Sequence, residues 1–417
     1  MDFISSNILR NPPILMAIIS MIGLAIQKKN FSDIIKGSLL AAFAMIIIDA
    51  GVKLLIGTII PINNAFSSIT GGAVGEGLNA VTFTSKFGGM IGLVMFIGLF
   101  IHLLIARFTP IKTIFLTGHM LWWFPFIFVA AGVEGGLDGV YLIVFASVLS
   151  ALYWSIMPWL LKSYVFKVTN DNSFTIGHPT GILSIIAGFI ASKTGDTAKS
   201  TESLKFSSKL SFLREISITG SIVMMIIWLI IGGLIPILIN ENENLFMTSL
   251  KSGITFGAGL IVLLYGVRML INQIIPAFKG ISEKIVPNAL PAFDCPILFN
   301  YKPNAVLIGF IVAMILSTIM IIIVNISGIF KFLLLPLVIT SFFECGCAAV
   351  IAEGQGGIRG CIIGTSVVAI IMVLFLAISI YVYSNTIQNW MLIFGGNDFS
   401  VFGVIAKYIA QLLKMVI

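Results

Sequence analysis

The chain has 417 residues, 58% of them hydrophobic and 10% charged, with a net charge of +7 and a mean hydropathy of +1.10. No water-soluble domain carries so apolar a composition, which excludes the soluble-enzyme and nucleic-acid-binding classes. The positive charge sits mostly in connecting segments and reads as the positive-inside bias of a membrane protein.

The first apolar run, 14–26, is followed by Lys28 and Lys29 with no small-residue cleavage site, which predicts a retained helix and no signal peptide. Runs at 37–60, 88–106, 111–133, 139–161, 216–239, 253–275, 304–327 and 360–383 are each long enough to cross a hydrocarbon layer of roughly 30 Å. Shorter or interrupted runs lie at 175–191, 281–299, 329–352 and 398–413. The expected fold class is all-α: a polytopic membrane protein with broken or re-entrant segments between its long helices. Four cysteines (Cys295, Cys345, Cys347, Cys361) form no ligand pattern with histidines, so no metal site is expected, and the Cys345–Cys347 pair reads as close helix packing.

Two stretches 215 positions apart answer each other: GVKLLIGTIIP at 51–61 and GVRMLINQIIP at 266–276. Farther on, GGLDG at 135–139 is matched by GGIRG at 356–360 with an offset of 221, each ahead of a long apolar helix. Two copies of one unit are expected, about 34–162 and about 249–385, within a single transport unit spanning 1–417. Lysines in 27–36 and 192–215 mark both connections as cytoplasmic, whereas 240–250 carries Glu241 and Glu243 and reads as external. The copies therefore enter the bilayer from opposite sides, as in transporters built from inverted repeats, whose substrate site lies near the midplane. The same count puts the N-terminus outside and the C-terminus, with Lys407 and Lys414, inside. Breaks are expected in Pro61–Phe87 and Ile275–Pro303, which are rich in glycine and proline; backbone interrupted at membrane depth must be buried or line a watery cavity.

Ionisable side chains within apolar runs are functional candidates because burying them in lipid is costly. His119 follows glycine in LTGH, His178 follows glycine in FTIGH, and Asp294 stands between Pro291 and Pro296. Two imidazoles and a carboxylate in broken segments suit a sugar or polyol, whose hydroxyls require donors and acceptors. Each histidine also has a purely structural reading, as a buried hydrogen-bonding side chain. Asp49 and Lys53 lie one turn apart and read as an ion pair on one helix face. Glu76, Glu134, Glu344 and Glu353 stand beside or near glycines close to the ends of apolar segments; Glu134 and Glu353 are expected to reach the interface and be solvated. His102, near Arg107, also reads as interfacial.

IKTIFLTGH (111–119), FTIGH (174–178), GVRMLINQIIPAFKGISEKIVPNALPAFDC (266–295) and PNAV (303–306) closely resemble the membrane subunit, IIC, of the ascorbate-type phosphotransferase system, within the ascorbate-galactitol superfamily. The likeness runs in order through nearly the whole chain. It implies a homodimer of roughly eleven-helix protomers in the bacterial cytoplasmic membrane. It also implies a separate IIB protein that phosphorylates the incoming sugar from a phosphocysteine, with a IIA protein upstream. No IIA or IIB domain, cofactor or nucleic-acid partner is expected in this chain; the surroundings are membrane lipid. Matched residue by residue, His119 and His178 take the place of substrate-contacting histidines and Asp294 that of a substrate-site aspartate and candidate catalytic group, while Glu76 aligns loosely with an acidic residue. Where ascorbate transporters carry glutamines, this chain has Trp123 and Phe124 after the first histidine, Pro179–Gly181 after the second, and Asp49 in the early helix. Each unmet amide weakens binding of a polar ligand by about 1–3 kcal/mol, so the cargo is expected to be ascorbate or a related sugar or polyol held partly by aromatic stacking. The rival from another class is a proton-coupled secondary transporter using Asp49, Asp294 or a histidine. An intramembrane enzyme or scaffold fits inverted repeats poorly.

Overall fold

The computed structural model describes residues 11–69, 80–204, 212, 215–235, 238–239, 244–284, 286–330, 334 and 336–416. In chain order the helices are α1 (Pro12–Ile26), α2 (Phe31–Ile69), α3 (Ala80–Phe108), α4 (Met120–Glu134), α5 (Gly139–Thr169) and α6 (Gly181–Thr194). There follow α7 (Ile216–Leu234), α8 (Leu245–Lys284), α9 (Pro303–Ser327), α10 (Val338–Val382), α11 (Gln388–Phe394) and α12 (Asp398–Lys414). Three short strands, β1 (Thr113–Phe115), β2 (Thr175–Ile176) and β3 (Leu290–Phe293), interrupt them. Among the described residues seven helices are long and apolar enough to cross a membrane (α2, α3, α5, α7, α8, α9 and α10), and α1, α4 and α6 are shorter apolar helices.

The helices sort into two bundles. Helices α1, α2, α7 and α8 pack mainly on one another, and the rest of the chain gathers around α10, with few contacts crossing between the groups. Small residues set the spacing in the first bundle: a Cβ on Gly51 would stand 2.5 Å from the Leu263 nitrogen, and one on Gly266 would stand 2.8 Å from that of Ile48. Those contacts run antiparallel along α2 and α8, the helices that carry the matched GVKLLI and GVRMLI stretches. The expected breaks begin later than the prolines suggest, since α2 continues through Pro61 to Ile69 and α8 through Pro276 to Lys284. A proline costs one helical hydrogen bond and a kink, and long packed neighbours carry a helix past it.

In the second bundle α10 is two helices joined at Gly356 and Gly357, the GGIRG stretch. Gly357 has φ of +59° and lies so close to the Asp196 carbonyl that a Cβ would overlap it, so only glycine fits this break. The second limb then runs 25 residues to Val382, about 37 Å at 1.5 Å per residue. At its far end Asn385 donates to Glu134 (2.7 Å), and the Gly135–Asp138 turn meets the end of α12, with Lys414 Nζ 4.0 Å from Asp138. The end of α12 therefore lies on the face opposite the 196–204 loop, which corrects the expectation that the C-terminal lysines share the side of the 192–215 connection. A count of two terminal lysines is a weak signal beside the packing that fixes where α12 ends.

Other expectations also change. His102 is fully buried: Nδ1 is 2.8 Å from Ser155 Oγ and Nε2 accepts from the Phe115 amide at 3.1 Å. Glu353, expected to be solvated, is 3% exposed. It pairs with Lys302 Nζ at 3.0 Å and accepts from Ser200 Oγ at 2.6 Å. Glu134 is half-buried rather than freely solvated. Asp49 and Lys53 form no ion pair among the described residues, and Lys53 is exposed.

Candidate functional site

The three strands form a parallel sheet in the order β1-β3-β2, an element the apolar pattern did not announce. Register is set by Thr113 opposite Leu290 and Thr175 opposite Ala292, and the ladder is extended by Leu116 N to Ala292 O (2.9 Å) and Gly177 N to Phe293 O (2.7 Å). Parallel strands end on one edge. His119 comes four residues after β1, His178 two after β2, and Asp294 directly after β3, so the sheet delivers all three candidates to the same edge. A Cβ on Gly177 would lie 2.6 Å from the Phe115 ring, which explains the glycine before His178.

Asp294 stands between the imidazoles, its Oδ2 3.7 Å from His119 Nε2 and its Oδ1 3.5 Å from His178 Nε2. Both separations exceed hydrogen-bonding length, so the groups face one another with capacity left for a ligand. Asp294 is also tethered, Oδ1 accepting from the Cys295 amide at 2.8 Å as the cap of a short 3₁₀ helix, Cys295–Asn300. His178 is almost fully buried, and its carbonyl accepts from the Tyr153 hydroxyl at 3.2 Å. The three ligand atoms lie within 4.8 Å of one another, a spacing that also suits a shared hydroxyl.

The trio opens into a cavity of about 190 Å³ walled by Trp123, Trp390, Phe343, Phe394 and Phe399, with Val52 and Leu263 closing it from the first bundle. Trp123 and Trp390 lie 5.0 Å apart, centroid to centroid, tilted by 31°. Glu344 lines the same cavity and is 5% exposed. Its Oε1 accepts from Asn397 Nδ2 at 2.8 Å, whereas Oε2 has no partner among the described residues.

The wall behind the site is made by two helix starts. Asp398, the first residue of α12, accepts from the Gly181 and Ile182 amides at 3.0 and 2.9 Å. A carboxylate from one helix thus caps the orphan N–H groups of α6, for which Thr180 makes no side-chain cap. At the positions after His178, Pro179 O accepts from the Asp398 amide (2.9 Å) and Thr180 Oγ1 donates to Glu344 O (2.8 Å).

Of the sequence candidates, the fold brings together His119, His178, Asp294 and Trp123. Asp49 does not line the cavity; on the same helix Val52 lines it, and Ile48 lines a separate narrow space beside His119 and Asp294. Glu76 lies outside the described residues. Phe124 turns away and is fully buried, its ring 3.7 Å from that of Tyr153. Sequence reasoning named Glu344 as an ionisable candidate without assigning it to the site, and left out Trp390 and Phe399. Glu344 stands 221 positions after Trp123, the offset of the glycine turns, which was a usable signal; α11, with Trp390, is too short for a periodicity to mark it.

Two helical bundles around a small cavity with polar groups at one end and aromatic walls define a multi-pass membrane permease for a small hydroxylated solute. The chain belongs to the EIIC-GAT family, the sugar-specific permease component of phosphotransferase systems, whose family model matches residues 7–398. It is 23% identical over 446 aligned positions to the ascorbate-specific PTS system EIIC component of Mycoplasma pneumoniae, covering 92% of this chain and 67% of that protein. The protein is therefore a membrane permease subunit of a sugar phosphotransferase system, which works with separate IIB and IIA components, and the proton-coupled alternative is not favoured.

Proposed function

We propose that the protein carries one ascorbate-sized sugar acid, sugar or polyol across the bacterial cytoplasmic membrane and presents it for phosphorylation by its IIB partner. The observation that carries this reading is the convergence of His119, His178 and Asp294 from three strand ends on one cavity of about 190 Å³. That volume is below the roughly 300–1,000 Å³ of sites for drug-sized ligands and suits a single six-carbon unit. The imidazoles donate to or accept from ring hydroxyls, Glu344 supplies a further acceptor, and Trp123 with Trp390 covers the apolar face of the solute. Asp294 orients the acceptor hydroxyl and takes its proton as the hydroxyl oxygen attacks the phosphorus of the donor and the IIB thiolate leaves. Phosphoryl transfer depends mainly on such positioning.

The element order further supports two inverted copies: α2 and α8 run antiparallel, and the α4–α5 hairpin and the two limbs of α10 each turn at a glycine pair. In this reading the second bundle carries the solute, the first braces it in a homodimer, and the exposed isoleucines and phenylalanines of the long helices face lipid.

Uptake into vesicles is the direct test. Accumulation of labelled ascorbate, or of another sugar or polyol from a screened set, should require phosphoenolpyruvate and the soluble components; uptake driven by a proton gradient alone would remove the reading. Asp294→Asn should lower phosphorylating uptake by about a hundredfold or more while the protein still folds.

A further inference from the structure

A second cavity, of about 430 Å³, lies on the face that carries Lys302 and the 196–204 loop. Arg268, Asn272, Asn300, Tyr301, Asp171 and Phe174 line it. Arg268 is exposed near the end of the apolar span of α8 and has no carboxylate partner within ion-pair distance among the described residues. Its partner is neutral: Asn300 Oδ1 accepts from Nε at 3.1 Å and from Nη2 at 2.9 Å. A guanidinium has five N–H donors, so this fork fixes the plane and leaves three donors for the cavity. The Tyr301 hydroxyl is a donor at neutral pH, and partial burial, and after it the nearby Asp171 carboxylate, raise it further above the usual phenol range.

This cavity is joined to the substrate site by structure. Asn300 ends the 3₁₀ helix that Asp294 caps, about 12 Å of chain at 2 Å per residue. Ile297, midway along it, lines both the Arg268 cavity and a narrow space of about 30 Å³ beside His119 and Asp294. The position matched to Arg268 in the earlier GVKLLI stretch is Lys53. Lysine there and arginine here is a chemical difference, because only the guanidinium offers the planar fork that engages phosphate oxygens in pairs.

We propose that the Arg268 cavity is a phosphate-ester site on the exit path: it holds the phosphoryl group of the newly made sugar phosphate as the product leaves Asp294. The proposal rests on the group-translocation reading above. Arg268 acts after phosphoryl transfer, so the unphosphorylated solute does not depend on it.

The test uses the full chain in inside-out vesicles with IIA, IIB and phosphoenolpyruvate, and the solute returned by the uptake screen. Arg268→Gln should lower steady-state phosphorylation at least tenfold and leave equilibrium binding of the unphosphorylated solute within twofold; Arg268→Lys should recover only part of the rate. Methyl phosphate should inhibit the wild type and lose that effect in Arg268→Gln. An unchanged rate in Arg268→Gln overturns the proposal, as does a parallel loss of solute binding. Inhibition by inorganic phosphate without inhibition by methyl phosphate assigns the cavity to the free ion and also overturns it. If the wild type itself shows no dependence on phosphoenolpyruvate, the underlying reading fails; a dependent wild type with an unaffected Arg268→Gln removes only the exit site.

Discussion

Trp123 and Phe124 are adjacent in sequence and opposite in role. Trp123 faces the cavity beside Trp390, while Phe124 is stacked on Tyr153 in the core. Trp123→Gln should therefore change which solutes compete for uptake without loss of protein. Phe124→Gln should lower the thermal midpoint of the detergent-solubilised protein, because it buries an amide in an aromatic cluster, and leave the competition profile of the surviving protein unchanged. Glu344→Gln replaces the free acceptor oxygen by a donor and should weaken solute binding by about 1–3 kcal/mol, about five- to hundredfold. Equal affinity in that variant would take Glu344 out of the site. Much of this site was legible in the sequence, because an imidazole or carboxylate beside glycine or proline in an apolar run has few bland explanations. What was not legible was direction. Phe124 sits one residue from Trp123 and Asp49 three from Val52, yet neither lines the cavity, and no residue-type argument resolves the roughly 100° between helical neighbours.

Among the elements, the first limb of α10 and the loop after α6 are held together by a buried charge cluster. Glu353 joins Lys302, Ser200 and the Thr201 amide, and Asn304 donates to Thr201 O. Removing one partner of a buried pair leaves an uncompensated charge, so Glu353→Ala should destabilise the protein by about 3–5 kcal/mol, whereas Glu353→Met with Lys302→Met should recover most of that loss. Unfolding of the solubilised protein followed by tryptophan fluorescence distinguishes the two. The long helices themselves were readable from run length and hydropathy. The three-stranded sheet was not: strands of two to four residues are shorter than any alternation can reveal, and parallel partners 117 and 177 positions apart (Thr175 to Ala292, Thr113 to Leu290) announce themselves only in space.

For the whole molecule, transport requires the two bundles to change their relation, since Val52 and Leu263 of the first close a cavity that otherwise belongs to the second. Cysteines introduced at Val52 and Phe343, in a chain whose four buried native cysteines have been replaced, should cross-link under oxidation and stop uptake until a reductant is added. Continued uptake by the cross-linked protein would show that the bundles need not part. The sequence supplies, in its matched stretches and glycine turns, the basis of the proposed inverted pair. It misjudged the face of the C-terminal lysines, because a charge count assigns each loop separately and is blind to the packing of α12 against the Gly135–Asp138 turn.

The sheet edge that gathers His119, His178 and Asp294 lies wholly within the second bundle, and among the described residues the first bundle reaches the cavity with two aliphatic side chains, Val52 and Leu263. In the proposed mechanism, recognition and timing are thereby housed in separate parts. Grafting α1, α2, α7 and α8 from a family member with a different cargo should alter how fast the door swings and leave the passenger list as it was.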